Sequence, residues 1–131
     1  MQNWIYVFLG GGFGSIVRYG IGLYFSNSST NFPIATFVSN FVACLVLGFL
    51  VGVQIKSNLN TNWSLLLMTG FCGGFSTFST FSNETLQLFQ DQHYGLALGY
   101  VGGSLAVGLM AIYIGIKMYR VPCTISYYKK V

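Results

Sequence analysis

The residues best equipped for chemistry in this chain crowd into one run, Gly70-Phe71-Cys72-Gly73-Gly74-Phe75-Ser76-Thr77-Phe78-Ser79-Thr80-Phe81-Ser82-Asn83-Glu84. Ser79, Thr80 and Ser82 carry hydroxyls that can stand in for water around a moving ion. Phe78 and Phe81 are three apart and share a helical face, where their positive ring edges either meet an anion or simply pack in a core. Glu84 is the one acidic residue inside an apolar segment, so a small coupled cation or drug transporter using Glu84 is an alternative reading. Its place near a segment end weakens that alternative. His93 lies in the polar connection Gln90-Asp91-Gln92-His93 and reads as a solvated loop residue. No acid–base pair or nucleophile–base arrangement is visible beyond it, so the chain is not expected to be an enzyme.

The elements that must position these residues are apolar and long. The chain has 131 residues, of which 53% are hydrophobic and only 6% charged, far from the balance of a soluble domain. Residues 4–25, 33–55, 64–90 and 95–118 are largely apolar, each with the roughly 20 residues that a hydrocarbon core of about 30 Å requires. The sequence therefore predicts a single all-α integral membrane domain over 1–131, with four transmembrane helices. The third is expected to break near 73–77, because glycines and hydroxyls there suit a discontinuous helix whose freed carbonyls or N–H groups are buried or bind ions. The stretch from Trp4 lacks a basic leader and a small-residue cleavage site, so it is expected to remain in the mature chain. Cys44, Cys72 and Cys123 are an odd number without paired spacing, which indicates neither a disulfide framework nor a zinc site. No basic cluster is interleaved with aromatics, so nucleic acid is not an expected partner.

Other polar residues inside these segments need compensation. Arg18 either snorkels to the interface or faces an aqueous vestibule where its charge concentrates anions. Asn40 either bonds another helix or faces a polar pathway. Tyr100, Ser104 and Gly108 are spaced by four and line either a polar wall or an interhelical contact. Small residues recur at the same spacing in Gly10, Gly14 and Gly22, in Cys44, Gly48 and Gly52, and in Gly95, Gly99 and Gly103, faces expected to meet other helices. Lys56, Lys117, Arg120, Lys129 and Lys130 collect on one side of a four-span chain, which predicts cytoplasmic N- and C-termini in a cell membrane. Tyr119, Tyr127 and Tyr128 are expected to anchor the chain at the interface.

With these residues assembled, the chain resembles the small four-helix Fluc or CrcB family of fluoride channels. The resemblance rests on Gly70 to Phe81, on Gly14-Ser15-Ile16-Val17-Arg18-Tyr19, and on Thr36 and Asn40, and it covers nearly the whole chain. It implies a passive fluoride-selective channel that lets fluoride leave the cell down its electrochemical gradient, built as an antiparallel dimer with two pores at the subunit interface. Phe78 and Phe81 would form an aromatic box for fluoride, and Asn40 would donate a hydrogen bond in the pore. Ser79, Thr80, Tyr100 and Ser104 would form a polar track, with Glu84 near the same route and Arg18 near a vestibule. Backbone carbonyls of Gly73 and Ser76 from both subunits would hold a structural Na+ ion. Serine at position 76, Ala43 and Gly108 depart from the family pattern without removing the box. The basic residues on one face further suggest one fixed orientation, and hence a possible partner in an oppositely oriented paralogue. A subunit that only packs through its glycine faces is disfavoured by the hydroxyls from Ser76 onward.

Overall fold

Backbone polar groups in a lipid-soluble chain must be satisfied within the protein, and helices do this locally. The computed structural model describes residues 3–27, 30–57 and 59–119, and every described element is helical. Ser28, Ser29 and Asn58 of the connections lie outside the described residues, as do Arg120, Cys123, Tyr127, Tyr128, Lys129 and Lys130. The elements are α1 (Asn3–Tyr24), α2 (Ile34–Ser57), α3 (Thr61–Ser64), a π-helical stretch (Leu65–Cys72), α4 (Gly73–Phe75), α5 (Phe78–Gln90) and α6 (Tyr94–Met118). α2 and α6 are each long and apolar enough to cross a membrane. Pro33 precedes α2, where its missing N–H has no helical partner to lose. Asn60 opens α3 by accepting a hydrogen bond from the Asn62 N–H at 3.1 Å. Gln92, at φ 61°, makes the tight turn from α5 to α6.

α2 packs mainly against α6, and α1 against the π-helical stretch and α4. Glycine makes both contacts close. A Cβ on Gly48 would strike the backbone of Ile112, and one on Gly115 the backbone of Leu45 and Phe49. Gly10 and Gly14 abut the backbone at Leu66 and Phe71, and Gly74 abuts Gly11. Each contact advances in the same direction along both partners, so α1 runs parallel to the π-helical stretch and α2 parallel to α6. Within the protomer a Cβ at Gly22, Gly95, Gly99 or Gly103 would meet nothing within 4 Å, so these are not the glycines that seat α1 on the π-helical stretch or α6 on α2. In α6 the face that approaches α2 passes through Ile112 and Gly115, so the stripe from Gly95 to Gly103 points elsewhere.

The parallel pairing of α2 and α6 brings their C-termini together. The Ser57 hydroxyl and Tyr119 Oη lie 2.9 Å apart, the Lys56 Nζ sits 5.4 Å from the Tyr119 ring centre, and the Lys117 Nζ sits 4.7 Å from that of Tyr113. Tyr119 thus does take a place beside lysine at a helix end. At the opposite end the Asn31 amide and His93 Nε2 are 3.2 Å apart, joining the α1–α2 and α5–α6 connections.

The glycine contacts generate a stability test. Gly48→Ala forces a methyl against the Ile112 carbonyl and is expected to cost about 1–3 kcal/mol, the range for overpacking. Gly12→Ala meets open space and should be neutral or slightly stabilising. Thermal unfolding of the two variants in detergent checks this, and equal midpoints would contradict the packing described.

Candidate functional site

The site is built on an interruption of the helix. After α4 the chain becomes extended at Ser76 (φ −75°, ψ 154°) and Thr77 (φ −147°, ψ 117°), then re-enters a helix at Phe78. Two extended residues leave backbone groups without helical partners, and each such group left unpaired in an apolar setting costs roughly 2–7 kcal/mol. Asn40, from α2, satisfies both groups of Thr77. Its Oδ1 accepts from the Thr77 N–H at 2.8 Å, and its Nδ2 donates to the Thr77 carbonyl at 3.3 Å. The side chain of Thr77 caps α5, accepting from the Thr80 N–H at 3.2 Å while its hydroxyl donates to Thr80 Oγ1 at 2.9 Å and lies 3.3 Å from Ser79 Oγ.

On the other side of the break, the Ser76 N–H and hydroxyl both donate to the Cys72 carbonyl, at 3.0 and 2.9 Å. Thr77 N–H would bond the Gly73 carbonyl in a continuous helix, and here it is taken by Asn40. The Gly73 carbonyl is thereby released from the helical ladder. The Gly74 carbonyl accepts from Arg18 Nε at 3.3 Å and from the Ser15 hydroxyl at 3.4 Å, which places a cation at the negative end of the first half-helix.

Three grooves meet at this break. The first, of about 240 Å³, is lined by Asn40, Ser76, Thr77, Phe78, Phe81 and Ser104 together with Cys44 and Leu105, all uncharged. Phe78 is 80% exposed and its ring centre is 6.0 Å from that of Phe81. The second, of about 250 Å³, gathers Arg18, Thr36, Ser39, Thr77, Thr80 and Glu84. The third, of about 260 Å³, holds Gly73 and Ser76 opposite Ala43 and Cys44. Thr77 borders both the first and the second, so the clamped residue forms the wall between an uncharged aromatic groove and a charged one.

Glu84 ties the second groove to Tyr100. Thr36 Oγ1 donates to Glu84 Oε1 at 2.7 Å and Tyr100 Oη donates to Oε2 at 2.9 Å, so both carboxylate oxygens are held. Tyr100 is wholly buried, with its ring centre 4.9 Å from Phe81 and 5.4 Å from Phe32. Ser104 Oγ and Ser39 Oγ are buried without a protein partner.

The structure thus brings Asn40, Phe78, Phe81 and Ser104 to one groove and Arg18, Thr80 and Glu84 to another. Ser79 lies exposed at the start of α5, and Tyr100 stands behind Phe81, outside both lining sets. Sequence reading passes over Thr77 as the clamped residue and Ser39 as a groove residue, and gives Thr36 no site role. The spacing Thr36, Ser39, Asn40 is a usable signal, since steps of three and four put all three on one face of α2.

Residues 5–116 match the family model described as CrcB-like protein, Camphor Resistance (CrcB). A protein of Phocaeicola vulgatus named "Fluoride-specific ion channel FluC" is 39% identical over 119 residues, covering 90% of this chain and 98% of its own. Proteins of the same name from Oceanobacillus iheyensis and Flavobacterium psychrophilum are 45% and 42% identical, covering 90% and 88% of this chain and 92% and 95% of theirs. With the family model spanning nearly all of its helices and relatives of this similarity along almost its full length, the chain belongs to the CrcB family.

Proposed function

We propose that this protein is a passive, fluoride-selective membrane channel that lets fluoride leave the cytoplasm down its electrochemical gradient. The relatives' names supply the ion, and the observation that carries the reading is the uncharged groove where Asn40, Phe78, Phe81 and Ser104 converge on a helix break. A bare anion needs its hydration replaced, and an N–H, hydroxyls and ring edges do so without the tight hold of a fixed positive charge. One Asn40 N–H is used on Thr77, which leaves a second free to donate. Phe78 and Phe81 present the aromatic edges, Ser104 adds a hydroxyl to the same groove, and Thr80 adds one to the second groove across Thr77. Arg18 concentrates anions in the vestibule-like second groove while bracing the break through Gly74. Glu84, with both oxygens occupied by donors, holds Thr36 and the buried Tyr100 in place, a role unlike the free coupling carboxylate of a transporter.

In this reading α1, α2, the broken segment from α3 to α5, and α6 are four membrane spans in one domain. The grooves are open on one protomer, and a second copy or relative in antiparallel arrangement closes them into two pores. A structural Na+ ion, a hard cation that takes oxygen ligands, fits the released Gly73 carbonyl, beside which a Cβ would meet nothing within 4 Å. Gly73 and Ser76 from both subunits would hold it, bracing the two breaks against each other. Lys56 and Lys117 share one end of the protomer, which supports cytoplasmic N- and C-termini and a single orientation, and hence a partner in an oppositely oriented relative.

Three measurements test this reading. In liposomes loaded with fluoride and chloride, the purified chain, alone or with an oppositely oriented relative, should release fluoride and retain chloride. Phe78→Ile or Phe81→Ile should slow that release by at least about tenfold, since each removes a ring edge worth on the order of 1 kcal/mol or more. Unchanged rates in both variants would contradict the aromatic role.

Asn40→Asp keeps the acceptor for the Thr77 N–H but sets a carboxylate oxygen against the Thr77 carbonyl and brings a negative charge to the groove, so fluoride release should disappear and some thermal stability with it. Asn40→Ala should lose both, by about 1–3 kcal/mol in stability. An active Asp variant would count against donation by the amide.

Labelling of single cysteines placed at either end of the chain, in intact cells, should report one orientation only. Equal labelling from both sides would refute the fixed topology.

A further inference from the structure

His93 is the single histidine of the chain and ends the tight turn from α5 to α6. Its backbone is fully engaged, with the N–H donating to the Leu88 carbonyl at 2.9 Å and the carbonyl accepting from the Ala97 N–H at 3.0 Å. The ring makes no cap on α6. It reaches instead to the α1–α2 connection, where Nε2 lies 3.2 Å from the Asn31 amide nitrogen. An amide nitrogen only donates, so Nε2 accepts, and the ring is neutral with its proton on Nδ1. A charged imidazolium carries N–H on both nitrogens and has no acceptor left, so a second proton removes this bond.

The residue after Asn31 reaches inward from the connection. The Phe32 ring stands edge-on to Tyr100, with centres 5.4 Å apart and planes at 83°, and lies 5.5 Å from Phe37. Tyr100 is wholly buried, and its ring centre is 4.9 Å from Phe81. A continuous file of rings therefore runs from the connection to Phe81, and its outer end is fastened by the bond between Asn31 and His93. We propose that Phe32 and the Asn31–His93 bond are positioning elements for Phe81, and that acid releases them. Protonation of His93 frees the connection, Phe32 loses its fixed place against Tyr100, and Phe81 loses the support that holds its edge in the groove.

Carboxyl and phenol groups ordinarily change charge outside the interval from about pH 5 to 8, and histidine within it. The other ionisable groups described at this end are Asp91 in the same turn, Tyr94 at the start of α6, packed on Phe89, and Tyr24 at the end of α1, packed on Phe25. Deeper in the protomer Glu84 bonds Thr36 and Tyr100, and Arg18 bonds Gly74. Lys56 and Lys117 lie at the opposite end, beside Tyr119 and Tyr113.

The effect on release rests on the fluoride reading above, whereas the bond itself does not. Fluoride release from liposomes, with the same pH on both sides and the loss from protein-free vesicles subtracted, should be about threefold slower near pH 5.5 than near pH 7.5, the effect of losing one ordinary hydrogen bond. His93→Gln offers Asn31 an amide oxygen that takes no proton, so it should match the parent at the higher pH and change by less than about 1.5-fold at the lower. Phe32→Ala cuts the file of rings and should be slow at both. A parent rate that is equal at the two pH values or rises in acid overturns the proposal, as does a His93→Gln variant that slows as much as the parent. A Phe32→Ala variant that keeps the parent's acid response overturns the part given to Phe32. A parent chain that moves no fluoride at either pH, alone or with an oppositely oriented relative, refutes the fluoride reading alone. Nitrogen NMR of the one histidine ring then decides the bond. The Nδ1–H form is expected in the parent at neutral pH and should be lost in Asn31→Leu, and an Nε2–H ring in the parent overturns the proposal.

Discussion

Two hydrogen bonds between the Asn40 amide and the backbone of Thr77, one donated each way, make the rest of this architecture possible. A chain that leaves the helix inside an apolar structure must find new partners for its N–H and carbonyl groups. Asn40 is suited to the task because an amide presents a donor and an acceptor side by side, as a neighbouring strand would. With Thr77 held, its hydroxyl is free to cap α5, and α5 can then aim Phe78 and Phe81 into the groove and Glu84 toward Tyr100. Arg18 does the matching work on the preceding half, where it bonds the Gly74 carbonyl at the end of α4. The break is therefore braced from α1 on one side and from α2 on the other.

The glycine contacts explain how these braces reach. Arg18 and Ser15 touch Gly74 because Gly10, Gly11 and Gly14 let α1 lie directly on the π-helical stretch and α4. Asn40 reaches Thr77 from a helix anchored against α6 by Gly48 and Gly115. Packing and chemistry are in this sense one arrangement. A methyl added at these contacts would move the very groups that hold the break.

Much of this was legible in the residues themselves, and some was not. Hydropathy and length are local properties, so the all-helical class and the two long apolar helices follow from composition. The glycine- and hydroxyl-rich run from Gly70 to Glu84 is equally visible as a segment unlike an ordinary helix. Partnership between distant residues is a different kind of information. Nothing in the sequence says that Asn40 spends its amide on Thr77, or that Thr36 and Tyr100 share the carboxylate of Glu84, because those pairs depend on how α2, α5 and α6 are placed. The π-helical turn of Leu65–Cys72 is hidden for the same reason, and the regular stripe from Gly95 to Gly103 identifies a face without identifying its neighbour.

The central claim is that the uncharged groove at the break selects fluoride by offering donors and ring edges in place of a fixed charge. The most direct test is the reversal potential of the reconstituted protein, as the pure chain or with its oppositely oriented relative, in a planar bilayer with a fluoride gradient and equal chloride on both sides. The account predicts that current reverses at the fluoride equilibrium potential and stays there when chloride is exchanged for a larger, impermeant anion. Reversal near zero, or a potential that follows chloride, would contradict it.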